Sequence, residues 1–123
     1  MSKSVLIVED ETLIRALCAD VFRDAEYEVI EAENGDQALD VLRSGIPVAA
    51  IVSDIRMPGR TDGMALRREV EANWPDVKML LTSGHRRIER SELSENQAFI
   101  AKPYQVLDLV QQVDEMIFGN ATG

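Results

Sequence analysis

A chain of 123 residues, 46% hydrophobic and 28% charged, has room for one globular domain with a core of its own. Its net charge of −9 speaks against nucleic acid as a direct partner, and no apolar run is long enough to cross a membrane. Cys18 is the single cysteine, which excludes an internal disulfide and fits a reducing cytoplasm.

Val5–Val8 is a continuous apolar run ending at Glu9-Asp10-Glu11, and no cleavable leader pattern precedes it. A helix is expected over Thr12–Ala25, with Leu13, Ile14, Leu17 and Val21 on its buried face and Cys18 packed inertly within the pattern. Tyr27–Ala32 is a short strand whose Glu28 and Glu31 suit a sheet edge. Asn34-Gly35 opens a helix to Ser44, closed by Gly45 and Pro47. Val48–Val52 is apolar throughout, as in a strand buried on both faces, and ends at Ser53-Asp54. Pro58-Gly59 and Asp62-Gly63 turn the chain into a helix over Met64–Asn73, with Leu66 and Val70 inward and Pro75 as its stop.

Val77–Leu81 is a fourth strand, leading to Thr82-Ser83-Gly84. Residues 85–97 are polar, with Ile88 and Leu93 as their large aliphatics, and promise at most a short, loosely held helix. Ala98–Ala101 is a fifth strand, followed by Lys102-Pro103, with Pro103 suited to a first helical turn. The last helix carries Val106, Val110, Val113 and Ile117 on one stripe and stops at Gly119. Residues 1–119 thus read as one domain and 120–123 as a flexible tail. Strands alternating with helices predict an α/β, doubly wound (βα)5 sandwich on a parallel sheet, with a shortened or irregular fourth helix.

The strand ends carry polar groups that a bare scaffold does not need together: Glu9 and Asp10, Asp54, Ser83 and Lys102. In a parallel sheet these ends point the same way, where open α/β sheets bind ligands. An aspartate such as Asp54 would, alone, equally suit a helix cap. Converging carboxylates repel one another unless a cation lies among them, and an all-oxygen set suits Mg²⁺ shared with a phosphoryl group. Lys102 and Ser83 are fitted to phosphoryl oxygens, which makes Asp54 the candidate nucleophile for an acyl phosphate.

These motifs (Val8-Glu9-Asp10-Glu11, Ser53-Asp54-Ile55-Arg56-Met57-Pro58-Gly59, Asp62-Gly63, Thr82-Ser83-Gly84 and Lys102-Pro103-Tyr104) resemble the receiver domain of two-component response regulators. The resemblance covers nearly the whole chain and implies a flavodoxin-like fold with strand order 2-1-3-4-5. It implies that Asp54 accepts a phosphoryl group from a histidine kinase or a histidine phosphotransfer protein. It further implies a Mg²⁺ site of Asp10, Glu9 (directly or through water), Asp54 and the backbone carbonyl of Arg56. Ser83, favoured over Thr82 by spacing, matches the switch hydroxyl, Lys102 the phosphate-binding lysine, and Phe99 the switch aromatic, unless Phe99 is simply core. Arg56 and His85 fall at the positions that tune hydrolysis of the acyl phosphate. The implied product is a cytoplasmic signalling domain, not a turnover enzyme, acting through a downstream protein target.

Two departures stand out. The stretch from Ser83 to Lys102 is shorter than is usual in the family, and Arg60-Thr61 lengthens the turn after Pro58. The first departure puts the family's usual output face in question. It also leaves His85, Arg86, Arg87 and Arg90 as either a solvated surface or a site for an anionic partner. A haloacid-dehalogenase-type phosphatase would need an aspartate where Arg56 stands, and a flavodoxin-like cofactor binder would need a phosphate loop where Glu9-Asp10 stands. An unphosphorylated, receiver-shaped interaction module and a receiver from a hybrid kinase remain as alternatives.

Overall fold

The two uninterrupted apolar runs become neighbouring interior strands of one parallel sheet. The computed structural model describes residues 3–84 and 87–119, so the expected tail at 120–123 and His85 lie outside the described residues. In chain order the elements are β1 (Lys3–Val8), α1 (Thr12–Asp24), β2 (Tyr27–Ala32), α2 (Gly35–Arg43) and β3 (Ala50–Asp54). There follow α3 (Gly63–Asn73), β4 (Lys78–Ser83), a 3₁₀ turn (Arg90–Glu92), β5 (Gln97–Ala101) and α4 (Val106–Phe118). The strand order is 2-1-3-4-5, all parallel, as the family resemblance implies.

Helices cover both faces of the sheet because strand residues alternate between them. Leu6, Val8, Ile51, Met79 and Leu81 face α2 and α3, meeting Leu39, Leu42, Leu66 and Val70. Val5, Ile7, Val52 and Leu80 face α1 and α4, meeting Phe22, Leu109, Val110 and Val113. The strand with Glu28 and Glu31 does lie at the edge, where its register pairs Lys3 with Tyr27 and Val8 with Ala32.

The buried face of α1 differs from the expected one. Leu13 and Leu17 are 85% and 55% exposed, while Cys18, Ala19 and Phe22 are buried and Ile14 and Val21 pack at the margin. The apolar residues of this helix exceed one face, so periodicity alone admitted two stripes. The choice fell to Phe22, whose ring meets Tyr27 edge-on at 5.1 Å. Pro103 is also not in a first helical turn. The Lys102–Pro103 peptide is cis, and α4 begins at Val106, where the Gln105 N–H donates to Asp108 Oδ2 at 3.2 Å.

Two local devices fix the loops beneath the candidate site. Asp62 caps α3 by accepting from the Ala65 N–H at 2.8 Å. Gly63 then lets the helix press on the strand end: a Cβ there would lie 2.4 Å from the Asp54 carbonyl oxygen. Among its described residues the crossover from β4 to β5 holds a single 3₁₀ turn instead of a helix, anchored by buried Ile88 and half-buried Leu93. Polar ties do the remaining work. Arg67 of α3 donates to Gln97 Oε1 at 2.9 Å and to the Glu92 carbonyl, and Asn96 donates to the Pro75 carbonyl.

The corrected face of α1 has a measurable consequence. Phe22→Ala is expected to cost about 3–5 kcal/mol in urea unfolding, because it empties a fully buried site. Leu17→Ala should stay within about 0.5 kcal/mol. A Leu17→Ala cost approaching that of Phe22→Ala would contradict the observed packing.

Candidate functional site

Asp54 is the last residue of β3 and is 9% exposed. Its Oδ2 accepts from Lys102 Nζ at 2.8 Å, and its Oδ1 accepts a long bond from the Arg56 N–H at 3.4 Å. Lys102 reaches it because β5 pairs with β4 and β4 with β3, with Asp54 opposite Thr82 and Ser83 opposite Ala101. The Lys102 N–H also donates to the Ser83 carbonyl at 2.9 Å, which ties the two strand ends together.

On the other side, Glu9 follows β1 directly and is 5% exposed, whereas Asp10 is exposed. Carboxylate oxygens of Glu9, Asp10 and Asp54 all lie within 4.8 Å of one another. Such an all-oxygen cluster fits a hard divalent cation that keeps several waters, as Mg²⁺ does. The cleft at this end is lined by Asp10, Asp54, Arg56, Ser83 and Lys102, with Met57 and Pro58 on its rim.

The electrostatics follow from this crowding. Burial pushes the Glu9 carboxyl up to about 7, helped by Asp10 and the charge of Asp54 and opposed by the Glu11 N–H and Lys102. For Lys102, burial acts to lower the pKa, but the Asp54 hydrogen bond and the charges of Asp54, Glu9 and Glu11 outweigh it, so the ammonium is held above its usual range. Burial also lifts the Cys18 thiol to about 11, in keeping with inert packing.

The structure brings together Glu9, Asp10, Asp54, Arg56, Ser83 and Lys102, as the sequence led one to expect. Of the two hydroxyl residues, Ser83 lines the cleft, while Thr82 is buried opposite Asp54 in the strand register. Tyr104 packs among the α1–α4 side chains, and burial raises its hydroxyl pKa well above the usual value. Phe99 lies opposite Leu81 in the register and packs half-buried with the α2–α3 cluster. His85 lies outside the described residues. Sequence reasoning missed Arg15, which donates to the Glu9 carbonyl at 2.8 Å, because no motif marks it and its partners lie after β1 and at the end of β2.

A parallel sheet in this order, with a buried aspartate, an acidic cluster and a lysine at its carboxyl edge, is the arrangement of one class of signalling domain. Residues 5–114 match the response regulator receiver domain family, and the chain belongs to it. The chain is similar to the sensor kinase CckA of Brucella abortus, 32% identical over 120 residues that cover 94% of this chain and 13% of the kinase. It is 30% identical over 115 residues to the transcriptional regulatory protein PdtaR of Mycobacterium tuberculosis, covering 91% of this chain and 55% of that protein. It thus spans little more than half of PdtaR and a small part of CckA. The response regulator receiver protein CpdR of Brucella abortus is 27% identical over 118 residues, covering 94% of this chain and 97% of CpdR. Among solved structures, a receiver protein from Sinorhizobium medicae shares the fold, with a TM-score of 0.87 at 23% identity and 95% of each chain covered. The receiver domain of the hybrid histidine kinase CckA aligns with a TM-score of 0.78 at 27% identity, covering 93% of this chain and 98% of that one. Receiver domains generally bind Mg²⁺ at an acidic pocket, and the Glu9-Asp10-Asp54 cluster is such a pocket.

Glu9 gives the site a pH signature. A carboxyl raised to about 7 in the folded state binds its proton more tightly there than in the unfolded chain. Its contribution is therefore complete below the unfolded carboxyl pKa and is lost as pH rises through about 7. Without metal, stability should fall between about pH 5 and pH 8 by at most about 3 kcal/mol, and Glu9→Gln should flatten that slope. Thermal melts in EDTA across this range check it, and an unchanged slope in Glu9→Gln would contradict the assignment.

Proposed function

We propose that Asp54 accepts a phosphoryl group in a Mg²⁺-dependent reaction from a histidine kinase or a histidine phosphotransfer protein. The observation that carries this reading is the buried Asp54 carboxylate, paired with Lys102 at 2.8 Å and set within 4.8 Å of the Glu9 and Asp10 oxygens. An Asp54 oxygen attacks phosphorus, an O–P bond forms, and the P–N bond of the phosphohistidine breaks. The electron pair of that bond stays on the imidazole nitrogen, which takes up a proton. Mg²⁺, held by Asp10, Asp54 and Glu9 with the Arg56 carbonyl, would offset the charge gathering on the phosphoryl oxygens. Lys102, already at the carboxylate, passes to a phosphoryl oxygen and keeps its ion pair through the transfer.

Ser83 stands at the cleft, where its hydroxyl is placed to follow the new oxygens. Its displacement draws on the β4 end and the crossover, and Phe99, on the same strand face as Leu81, feels the change through the α2–α3 cluster. The result is an altered surface read by a downstream protein. The domain acts as an acceptor and a switch rather than as a turnover enzyme. The similarity to a sensor kinase and to a response regulator receiver protein supports placing it in a two-component system.

Incubation with acetyl phosphate and Mg²⁺ should add one phosphoryl group, located at Asp54 by mass spectrometry, and Asp54→Asn should accept none. Modification elsewhere would refute the assignment. No modification at all, despite Mg²⁺ binding, would favour an interaction module that is never phosphorylated.

Arg56 is exposed on the cleft rim, where its long cationic side chain can obstruct a water approaching in line with the phosphoryl group. Phosphoryl half-life should therefore shorten in Arg56→Ala and Arg56→Asn. An unchanged or longer half-life in both would remove Arg56 from that role. The same measurement in His85→Ala asks whether His85 assists the water.

A further inference from the structure

Arg15 stands in the first turn of α1 with its side chain only 12% exposed. Its Nη1 donates to the Glu9 carbonyl at 2.8 Å. Its Nε lies 3.3 Å from Glu31 Oε1, and its Nη2 lies 4.0 Å from Glu33 Oε1. Arg23, two turns further along α1, holds Glu31 from its other oxygen at 3.3 Å. The guanidinium charge is thus answered by glutamates at the end of β2, while one arm of its fork is spent on the main chain of the acidic loop.

That carbonyl belongs to the peptide leading into Asp10, so fixing it fixes the direction in which Asp10 leaves the strand. The rest of Glu9 is pinned as well. Its N–H donates to the Ala32 carbonyl at 3.1 Å, and its Oε2 accepts from the Glu11 N–H at 3.0 Å. Arg15 adds a restraint from a neighbouring helix, and it anchors the loop to β2 through Glu31.

We propose that Arg15 is a positioning residue for the cation site, holding the Glu9–Asp10 peptide so that both carboxylates keep a geometry suited to a small octahedral ion. This rests on the Mg²⁺ reading above. Mg²⁺ demands near-ideal octahedral geometry, whereas Ca²⁺ accepts a looser, larger oxygen shell. Releasing the Glu9 carbonyl therefore weakens Mg²⁺ more than Ca²⁺. A general loss of structure would weaken both alike.

Titration calorimetry of the full chain with MgCl₂ and with CaCl₂ tests this in wild type, Arg15→Ala, Arg15→Lys and the double variant Glu31→Gln/Glu33→Gln. Circular dichroism in EDTA checks that each variant is folded. Arg15→Ala should raise the Mg²⁺ Kd about tenfold and the Ca²⁺ Kd by less than about threefold. Arg15→Lys should recover part of the loss, and the double variant should shift Mg²⁺ in the same direction by a smaller factor. A folded Arg15→Ala with a Mg²⁺ Kd within about twofold of wild type, or with equal losses for both ions, would overturn the inference. If Arg15→Ala does not fold, the double variant decides by the same criterion. Failure of the wild type to bind Mg²⁺ would overturn the cation reading and this inference with it. Normal binding by every variant would overturn this inference alone.

Discussion

The contact between Lys102 and Asp54 is the constraint on which the rest of the structure depends. A carboxylate at a position 9% exposed, with Glu9 and Asp10 beside it, would be costly without a partner, and the ammonium at 2.8 Å offsets that cost. The two residues are 48 positions apart and meet only because β5 lies against β4 and β4 against β3. Anything that moves β5 therefore moves the charge that makes Asp54 tolerable. The pair holds the Asp54 carboxylate in place and also links it to the edge of the sheet.

This explains why the crossover before β5 is secured even though its described residues hold only a 3₁₀ turn. Ile88 and Leu93 supply what little apolar anchoring the segment has. Hydrogen bonds from Arg67 to Gln97 and to the Glu92 carbonyl, and from Asn96 to the Pro75 carbonyl, set the entry of β5 from outside. Arg67 lies on α3, and α3 begins at Gly63, pressed against the Asp54 carbonyl. The end of β3 and the crossover are thus joined through one short helix. Polar ties of this kind are directional and break in discrete steps, unlike a continuous apolar contact.

On the opposite face α1 has two duties. Phe22 and Cys18 bury it against the sheet, while Arg15 in its first turn reaches back to the acidic loop. The carboxylates that repel one another in the cleft are in this way carried on a peptide tied to two strands and a helix. A loose loop would relieve the repulsion by spreading them apart, which would lower the free energy of the empty site but spoil its geometry. Rigidity here maintains the crowding.

The sequence by itself determined the strands, their order in the chain and the residues of the cleft. Buried parallel strands must be apolar throughout, and polar residues survive at their ends only where solvent or a ligand meets them, so Glu9, Asp10, Asp54, Ser83 and Lys102 were legible as a set. Which stripe of α1 turned inward was not, because Leu13 and Leu17 match helical spacing as well as Ile14, Cys18 and Phe22 do, and the fit of Phe22 against Tyr27 made the choice. Nor could the choice between Thr82 and Ser83 be completed, since adjacent strand residues differ only in face, and only the folded chain shows that Ser83 lines the cleft. Arg15 carries no local signal at all. Its partners Glu9, Glu31 and Glu33 come from separate strands and loops, and only tertiary packing brings a guanidinium to a carbonyl whose position no local pattern encodes.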